Sequence, residues 1–204
     1  MFFTPSSRRS FLLFCGGLLL AFGSAACQSS EAPVQPQTLT IGINSDNAPW
    51  GFEDSSGTLV GFEVDFMTAI ADVMDTEIEF SKVIFIDLFP ATSSGRIDLA
   101  MSSITVTDER LESFDFSQPY YDSDLSLVVT SDKTNTALDD LTGKTIAVNT
   151  GTTGEMWVDT HQEQYQFGEI VRYDNSIVAT MDDLTNGIVE GYVADFPADL
   201  YCTK

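Results

Sequence analysis

The 204 residues carry 31 acidic against 9 basic side chains, a formal net charge of −22. Such a surface repels the phosphates of nucleic acid and of anionic lipid, so neither is an expected partner. A hydrophobic content of 43% marks a globular rather than a disordered chain. Three cysteines and one histidine, His161, exclude a disulfide framework and a histidine-based metal centre, so no cofactor or metal is expected.

The first expected element is an export signal over residues 1–27. Arg8 and Arg9 precede an apolar run from Phe11 to Phe22, and Gly23, Ser24, Ala25 and Ala26 lead to Cys27. The run is too short to span a membrane as a mature helix. Ser7-Arg8-Arg9-Ser10-Phe11-Leu12 resembles a twin-arginine export signal, with Leu13 in place of the usual lysine. Ser24-Ala25-Ala26-Cys27 resembles a bacterial lipobox, with Ser24 where leucine is commonest, and predicts lipidation of Cys27 in preference to simple cleavage after Ala26. Cys15 then leaves with the signal and Cys202 stands alone. Residues 28–37 are polar and contain proline, and read as a flexible tether. The remainder suffices for one domain or two small lobes, given roughly 100–200 residues per domain.

After the tether, strand and helix alternate. Leu39–Ile43 reads as a strand followed by the polar loop Asn44 to Trp50, and Phe52 to Leu59 as a hairpin around Ser55-Ser56-Gly57. Over residues 62–74, Phe62, Phe66, Ile70 and Met74 fall at i, i+4 spacing with Met67 and Ala71 beside them, predicting an amphipathic helix with those residues on its core face. A strand at Ile78-Glu79-Phe80 and a helix from Asp87 to Ser94, closed by Gly95, follow. Ile97 to Met101 reads as a buried strand, with the hydroxyls of Ser102, Ser103 and Thr105 in the loop at its end. Thr107 reads as an N-cap with Asp108 and Glu109 in the first turn. Arg110 faces the positive end of that helix dipole, a placement an adjacent anion would relieve. The alternative is a surface pair with Asp108 or Glu112.

Phe114 to Ser117 and Leu125 to Val129 are strand-like, and residues 132–140 are polar. A new unit begins with the strand Lys144–Val148 and runs into Asn149 to Glu155, where Thr152 and Glu155 have capping-box spacing for a helix reaching Tyr165. Glu169 to Tyr173 reads as a strand, Ile177 to Gly187 as a helix, Tyr192 to Ala194 as a strand ending in Asp195, and Pro197 opens a last helix. Repeated βα units imply a mostly parallel sheet in each of two lobes, 38–130 and 131–204. Open α/β sheets bind ligands at the carboxyl ends of their strands. Asn44 to Asn47, Ser102 to Arg110, Thr150 to Thr153 and Asp195 are the polar strand ends. Facing one another, they would place Arg110, Thr105 and the backbone N–H groups near Thr152 and Thr153 against a carboxylate, and Asp195 against an ammonium. That pair suits an α-amino acid. Helix capping is the alternative role for Thr152 and for Asp195.

Gly61-Phe62-Glu63-Val64-Asp65-Phe66 resembles the signature of the bacterial extracellular solute-binding proteins of family 3, the polar amino acid-binding proteins of ABC importers. Ala48-Pro49-Trp50, Gly95 to Ala100, Thr105 to Arg110, Phe114 to Ser117, Pro119-Tyr120-Tyr121, Lys144 to Thr153 and Val193-Ala194-Asp195 resemble its further blocks in order, over about residues 38–204. The resemblance implies an α/β, two-lobed clamp of the periplasmic-binding-protein type II class. It places the carboxylate-binding arginine at Arg110, supported by Thr105 and Thr153, and the ammonium ligands at Asp195 and the backbone carbonyl of Ser103.

Three departures bear on specificity and extent. Asn44 stands where binders of basic amino acids often carry an acid, which argues against a cationic ligand. Asn47 stands where an aromatic is frequent; Phe85 could supply an apolar wall, and Trp50 a ligand contact or a core residue. Members of the family continue past the region of Asp195 and return to the first lobe, so a chain ending at Lys204 is expected to be a truncated member with its second lobe and return segment incomplete.

The expected function is therefore capture of an amino acid, neutral and polar, between two lobes and its delivery to an ABC transporter permease. The expected protein is a monomer at the periplasm or the outer face of the cytoplasmic membrane, touching the membrane only through a lipid anchor. The alternatives are an enzyme on the same fold, such as a cyclohexadienyl dehydratase, for which Glu155 or Asp46 could be the cleft acid or base, and a ligand-sensing domain.

Overall fold

The computed structural model describes residues 2–3, 38–131, 137–174 and 177–202. In the first lobe the elements are β1 (Phe2–Phe3), β2 (Leu39–Ile43), β3 (Asp46–Asn47), β4 (Gly51–Glu53), β5 (Leu59–Val60), α1 (Phe62–Met74), β6 (Ile78–Lys82), α2 (Phe85–Ser93), β7 (Leu99–Ala100), α3 (Asp108–Leu111) and β8 (Asp115–Phe116). In the second they are β9 (Leu125–Val128), a 3-10 turn at Leu138–Leu141, β10 (Ile146–Asn149), α4 (Thr153–Tyr165), β11 (Ile170–Tyr173), α5 (Ile177–Thr185), β12 (Gly191–Asp195) and α6 (Phe196–Cys202).

The first lobe is built on a five-stranded sheet of order β6-β2-β7-β1-β8. Strand β2 pairs in parallel with β6 and β7, and β1 pairs antiparallel with β7 and β8. The hairpin region adds a separate three-stranded sheet, β3-β4-β5. The second lobe has a four-stranded sheet of order β11-β10-β12-β9, parallel except that β9 runs antiparallel to β12. The helix-flanked second sheet is mostly parallel, as expected, whereas the first mixes two parallel with two antiparallel pairings because β1 lies between β7 and β8; the α/β class holds. The second sheet begins earlier than residue 131, because Leu125 to Val128 already pair with Asp195 to Tyr192.

Each sheet buries apolar side chains on both faces, as a parallel sheet with flanking helices must. In the first lobe Ile41, Met67, Leu99 and Met101 pack beneath α1, and Phe85, Leu88, Ala91, Ile97 and Ile104 pack around α2. In the second, Ile146, Val148, Val158 and Val193 pack beneath α4, and Ala147, Leu184, Val189 and Tyr192 form the opposite layer.

Helix α1 spans residues 62–74 as expected, but its buried stripe is rotated by one residue. Glu63, Met67 and Ala71 are buried, whereas Phe62 is 43% and Met74 55% exposed. The phenylalanines instead build an aromatic rim: Phe62 stacks on Phe66 at 5.6 Å, and Phe66 meets Tyr120 at 5.4 Å between centroids. The apolar spacing could not reveal this, because the residue that leads the true stripe is a carboxylate. Gly61 caps the helix because a Cβ there would lie 2.3 Å from the Trp50 carbonyl oxygen. Helix α2 begins two residues before the expected Asp87.

Most of the expected export signal, with Cys15 and Cys27, lies outside the described residues, as does the tether. Phe2 and Phe3 are described, and they occupy the sheet between Ala100 and Phe116, whereas a signal over 1–27 would lie outside the fold. The facing edges of β7 and β8 present backbone groups that an extended segment can satisfy. Among the described residues, no helix is long and apolar enough to cross a membrane.

Candidate functional site

The carboxyl ends of the strands from both lobes open onto one cleft of about 640 Å³, counting its space open to solvent. Of the residues singled out from the sequence, Asn44, Asn47, Phe85, Ser103, Thr105, Arg110, Thr152, Thr153 and Asp195 line it. Trp50 does not. Its ring packs edge-on against Phe62 and Tyr121, at 5.6 and 4.9 Å between centroids, and it lines an adjoining cavity together with Ser103, Thr105 and Asp195.

Arg110 sits in α3, whose N-cap is Thr107: the Thr107 hydroxyl accepts from the Arg110 backbone N–H at 3.2 Å. The surface alternative for Arg110 is overturned, because the residue is only 6% exposed. Its Nη1 donates to the Thr105 carbonyl at 2.7 Å and its Nη2 to the Gly151 carbonyl at 2.9 Å. The second bond crosses from one lobe to the other. The guanidinium lies 5.1 Å from the Phe89 centroid and 5.9 Å from that of Phe85, so aromatic faces support the charge. Burial lowers the Arg110 pKa, opposed by the nearby Asp195 and Glu109. Carbonyl oxygens and ring faces hold the guanidinium in place at the cleft.

Opposite Arg110 stands the N-terminus of α4. The Thr152 hydroxyl caps it, accepting from the Glu155 N–H at 3.3 Å and donating to the Asn149 carbonyl at 2.7 Å. Thr153 is the first residue of the helix, so its end presents backbone N–H groups and the positive pole of the dipole. Gly154 lets this end approach β12, since a Cβ there would lie 2.6 Å from the Val193 carbonyl oxygen. Glu155 is fully engaged. It accepts from the Gly151 N–H at 2.7 Å and from Arg172 Nε at 2.7 Å, and Arg172 also reaches Asp159 at 2.6 Å. Glu155 therefore holds the Gly151 turn and does not stand free in the cleft.

Asp195 ends β12 and is half-buried. Burial pushes its pKa up to about 6, opposed by the Arg110 charge. Behind it the buried Asp199, hydrogen-bonded by the Ser126 hydroxyl, is pushed up to about 7 by burial. The cleft thus holds a buried cation from the first lobe and a desolvated carboxylate from the second.

On the first-lobe side, Asn47 and Asn44 are buried and fixed. Asn47 Nδ2 donates to the Ser103 hydroxyl at 2.8 Å, and the Asn44 side-chain oxygen accepts from the Asp46 N–H at 3.1 Å. Ser103 adopts a left-handed conformation, φ 46°.

Four features escaped the sequence reading. Asn149, Asp174 and Tyr192 also line the cleft. Asn149 and Asp174 follow the same strand-end rule that found Asp195: Asn149 ends β10 and Asp174 follows β11 directly. The fourth is Glu63, a fully buried carboxylate that accepts from the Ser103 N–H at 2.6 Å and from the Tyr120 hydroxyl. An acid in a first helical turn gives no sign that it is buried. Among the described residues no cluster of potential metal ligands occurs.

The profile of the bacterial extracellular solute-binding proteins, family 3, matches residues 39–193. A probable histidine-binding protein of Neisseria gonorrhoeae is 32% identical over 186 residues, which are 90% of this chain and 69% of that protein. The chain spans 58–69% of the length of curated relatives such as this one. An ancestral arginine-binding protein bound to arginine superposes with a TM-score of 0.77 at 31% identity, covering 81% of this chain and 73% of the other. An ancestral amino acid-binding protein, described as a precursor of cyclohexadienyl dehydratase, superposes with a TM-score of 0.75 at 28% identity, covering 82% and 74%.

Proposed function

The chain belongs to the bacterial extracellular solute-binding proteins, family 3, and from that premise we propose that it captures an amino acid between its lobes and delivers it to an ABC importer. One observation carries the reading: Arg110 and Asp195, from opposite lobes, line the same cleft. Arg110, Thr105 and the α4 N-terminus at Thr152 and Thr153 take the ligand carboxylate. Asp195 and the Ser103 carbonyl take its ammonium. Each end of the zwitterion touches both lobes, so binding favours the closed form, which a permease reads.

The side chain of the ligand faces Asn44, Asn47, Phe85 and Asn149. Uncharged amides beside an aromatic ring favour a neutral polar side chain. A second reading, a cationic side chain, is favoured by Asp174, an exposed carboxylate on the cleft. An enzyme on this fold needs a cleft acid or base beyond the zwitterion ligands. The ion pairing of Glu155 with Arg172 speaks against that role for Glu155. The named relatives reported above are binding proteins. The Arg8-Arg9 start and the Ser24 to Cys27 sequence support export by the twin-arginine route and lipidation of Cys27, with the monomer held at the outer face of the membrane. On such processing β1 leaves the sheet.

A thermal melt against a panel of amino acids tests the reading. A ligand at a hundredfold its dissociation constant stabilises the fold by about 2.7 kcal/mol. A raised midpoint with neutral polar amino acids supports the first reading, and one confined to arginine, lysine and histidine supports the second. A cooperative melt that no amino acid shifts contradicts both.

A further inference from the structure

Glu63 is buried where an apolar residue would be expected. It lies on the stripe of α1 that carries Met67 and Ala71, and it is fully inaccessible to solvent. A carboxylate in such surroundings is strongly unfavourable unless donors are aimed at it. Here there are two, the Ser103 backbone N–H at 2.6 Å and the Tyr120 hydroxyl, both to Oε1; burial still raises the Glu63 pKa, opposed by these two bonds. Glu63 itself does not line the cleft, but Ser103 and Asp195 both do.

Ser103 needs such a partner. Its φ of 46° is a conformation that a residue with a Cβ adopts at a cost. Two contacts hold it there from different elements. Glu63 of α1 takes its N–H, and Asn47 of β3 donates to its hydroxyl at 2.8 Å. Without the first contact Ser103 would relax towards negative φ. The adjoining peptide planes would turn, and the Ser103 carbonyl would swing away from its present direction.

We infer that Glu63 is the positioning residue for the amine end of the cleft, acting through the Ser103 backbone. This rests on the amino acid reading above for what Ser103 contacts, and on the hydrogen bond alone for what Glu63 does. A merely structural Glu63 would, when replaced, weaken every ligand alike or lower stability alone. A positioning Glu63 discriminates: its loss harms ligands with an α-amino group and spares those without one.

The test uses Glu63→Gln, which keeps an oxygen acceptor, and Glu63→Met, which keeps volume but no oxygen acceptor. Two readouts are taken: the Ser103 amide by NMR (shift and exchange), and dissociation constants by calorimetry. The probe is whichever of L-glutamine and L-arginine binds more tightly, with its deaminated acid, 4-carbamoylbutanoate or 5-guanidinopentanoate. In Glu63→Gln the Ser103 amide resonance moves as its acceptor changes from a carboxyl to an amide oxygen, and affinity stays within about threefold. In Glu63→Met the amide exchanges at least about tenfold faster, amino acid affinity falls about tenfold or more, and affinity for the deaminated acid changes less than about threefold.

Equal losses for both ligands, or a folded Glu63→Met protein with unchanged binding, overturn the proposal. Should Glu63→Met not fold, an unmoved Ser103 amide in Glu63→Gln overturns it. If no amino acid of the panel binds the unaltered protein, the amino acid reading fails, and the Ser103 amide still decides whether Glu63 holds that backbone.

Discussion

The two lobes meet the cleft with different devices. The first lobe presents a buried side-chain cation, Arg110, and a loop held by side chains, with Glu63 on the Ser103 N–H and Asn47 on its hydroxyl. The second presents a helix end capped by Thr152 and a desolvated carboxylate, Asp195, at the end of a strand. Each lobe therefore offers one group suited to an anion and one suited to a cation. Neither offers a complete site for a zwitterion. On the proposed reading, selectivity for an amino acid therefore belongs to the closed arrangement, and each half can be broken separately.

Arg110→Ala breaks the comparison hardest. It removes the only side-chain cation among the described residues that line the cleft and, with it, charge-assisted bonds worth about 1.5–3 kcal/mol each. Amino acid binding is expected to weaken by more than about a hundredfold, with a cooperative melt retained. Asp195→Asn comes next. Calorimetry should show a loss of about tenfold or more for amino acids and a smaller one for their deaminated acids, since only the former bring an ammonium.

Acid should mimic Asp195→Asn. The free cleft holds Asp195 at about 6, and an ammonium partner favours its charged form. As pH falls through about 6 the free carboxylate takes up a proton that the ligand must displace. Affinity is thus expected to be flat above about pH 7 and to fall by at most about tenfold per unit below 6. Asp199 titrates without the ligand. Its folded pKa of about 7 lies above its ordinary 3.8, so its contribution to stability is present at low pH and is lost as pH rises through about 7. Asp199→Asn should therefore raise the ligand-free melting midpoint near pH 8, by about 3 °C, and leave it unchanged near pH 4.

Thr152→Ala gives the smallest effect. Losing an N-cap costs about 1 kcal/mol of stability and lowers affinity by no more than several-fold, because the backbone N–H groups of α4 remain.

Much of this plan was legible in the residues. The strand at Leu39–Ile43, the helix at 62–74 and the helix ending at Tyr165 follow from apolar spacing and caps. The rule that ligands meet strand ends pointed to Arg110, Asp195, Ser103 and Thr152, which line the cleft, and applied to every strand it would also have pointed to Asn149 and Asp174. Other features were hidden for physical reasons. Trp50 in a loop is compatible with ligand contact or core, and only packing against Phe62 and Tyr121 decides its surroundings. The bond from Arg110 to Gly151 joins residues far apart in the chain. The burial of Glu63 depends on donors that the fold supplies from elsewhere, Ser103 and Tyr120.

The central claim is that carboxylate and ammonium are both read, each with help from both lobes. The most direct measurement is a calorimetric titration of the unaltered protein with one bound amino acid, its carboxamide and its deaminated acid. At least about a hundredfold loss is expected for the carboxamide, which offers Arg110 no charge, and about tenfold or more for the deaminated acid. Equal affinity for all three would contradict it.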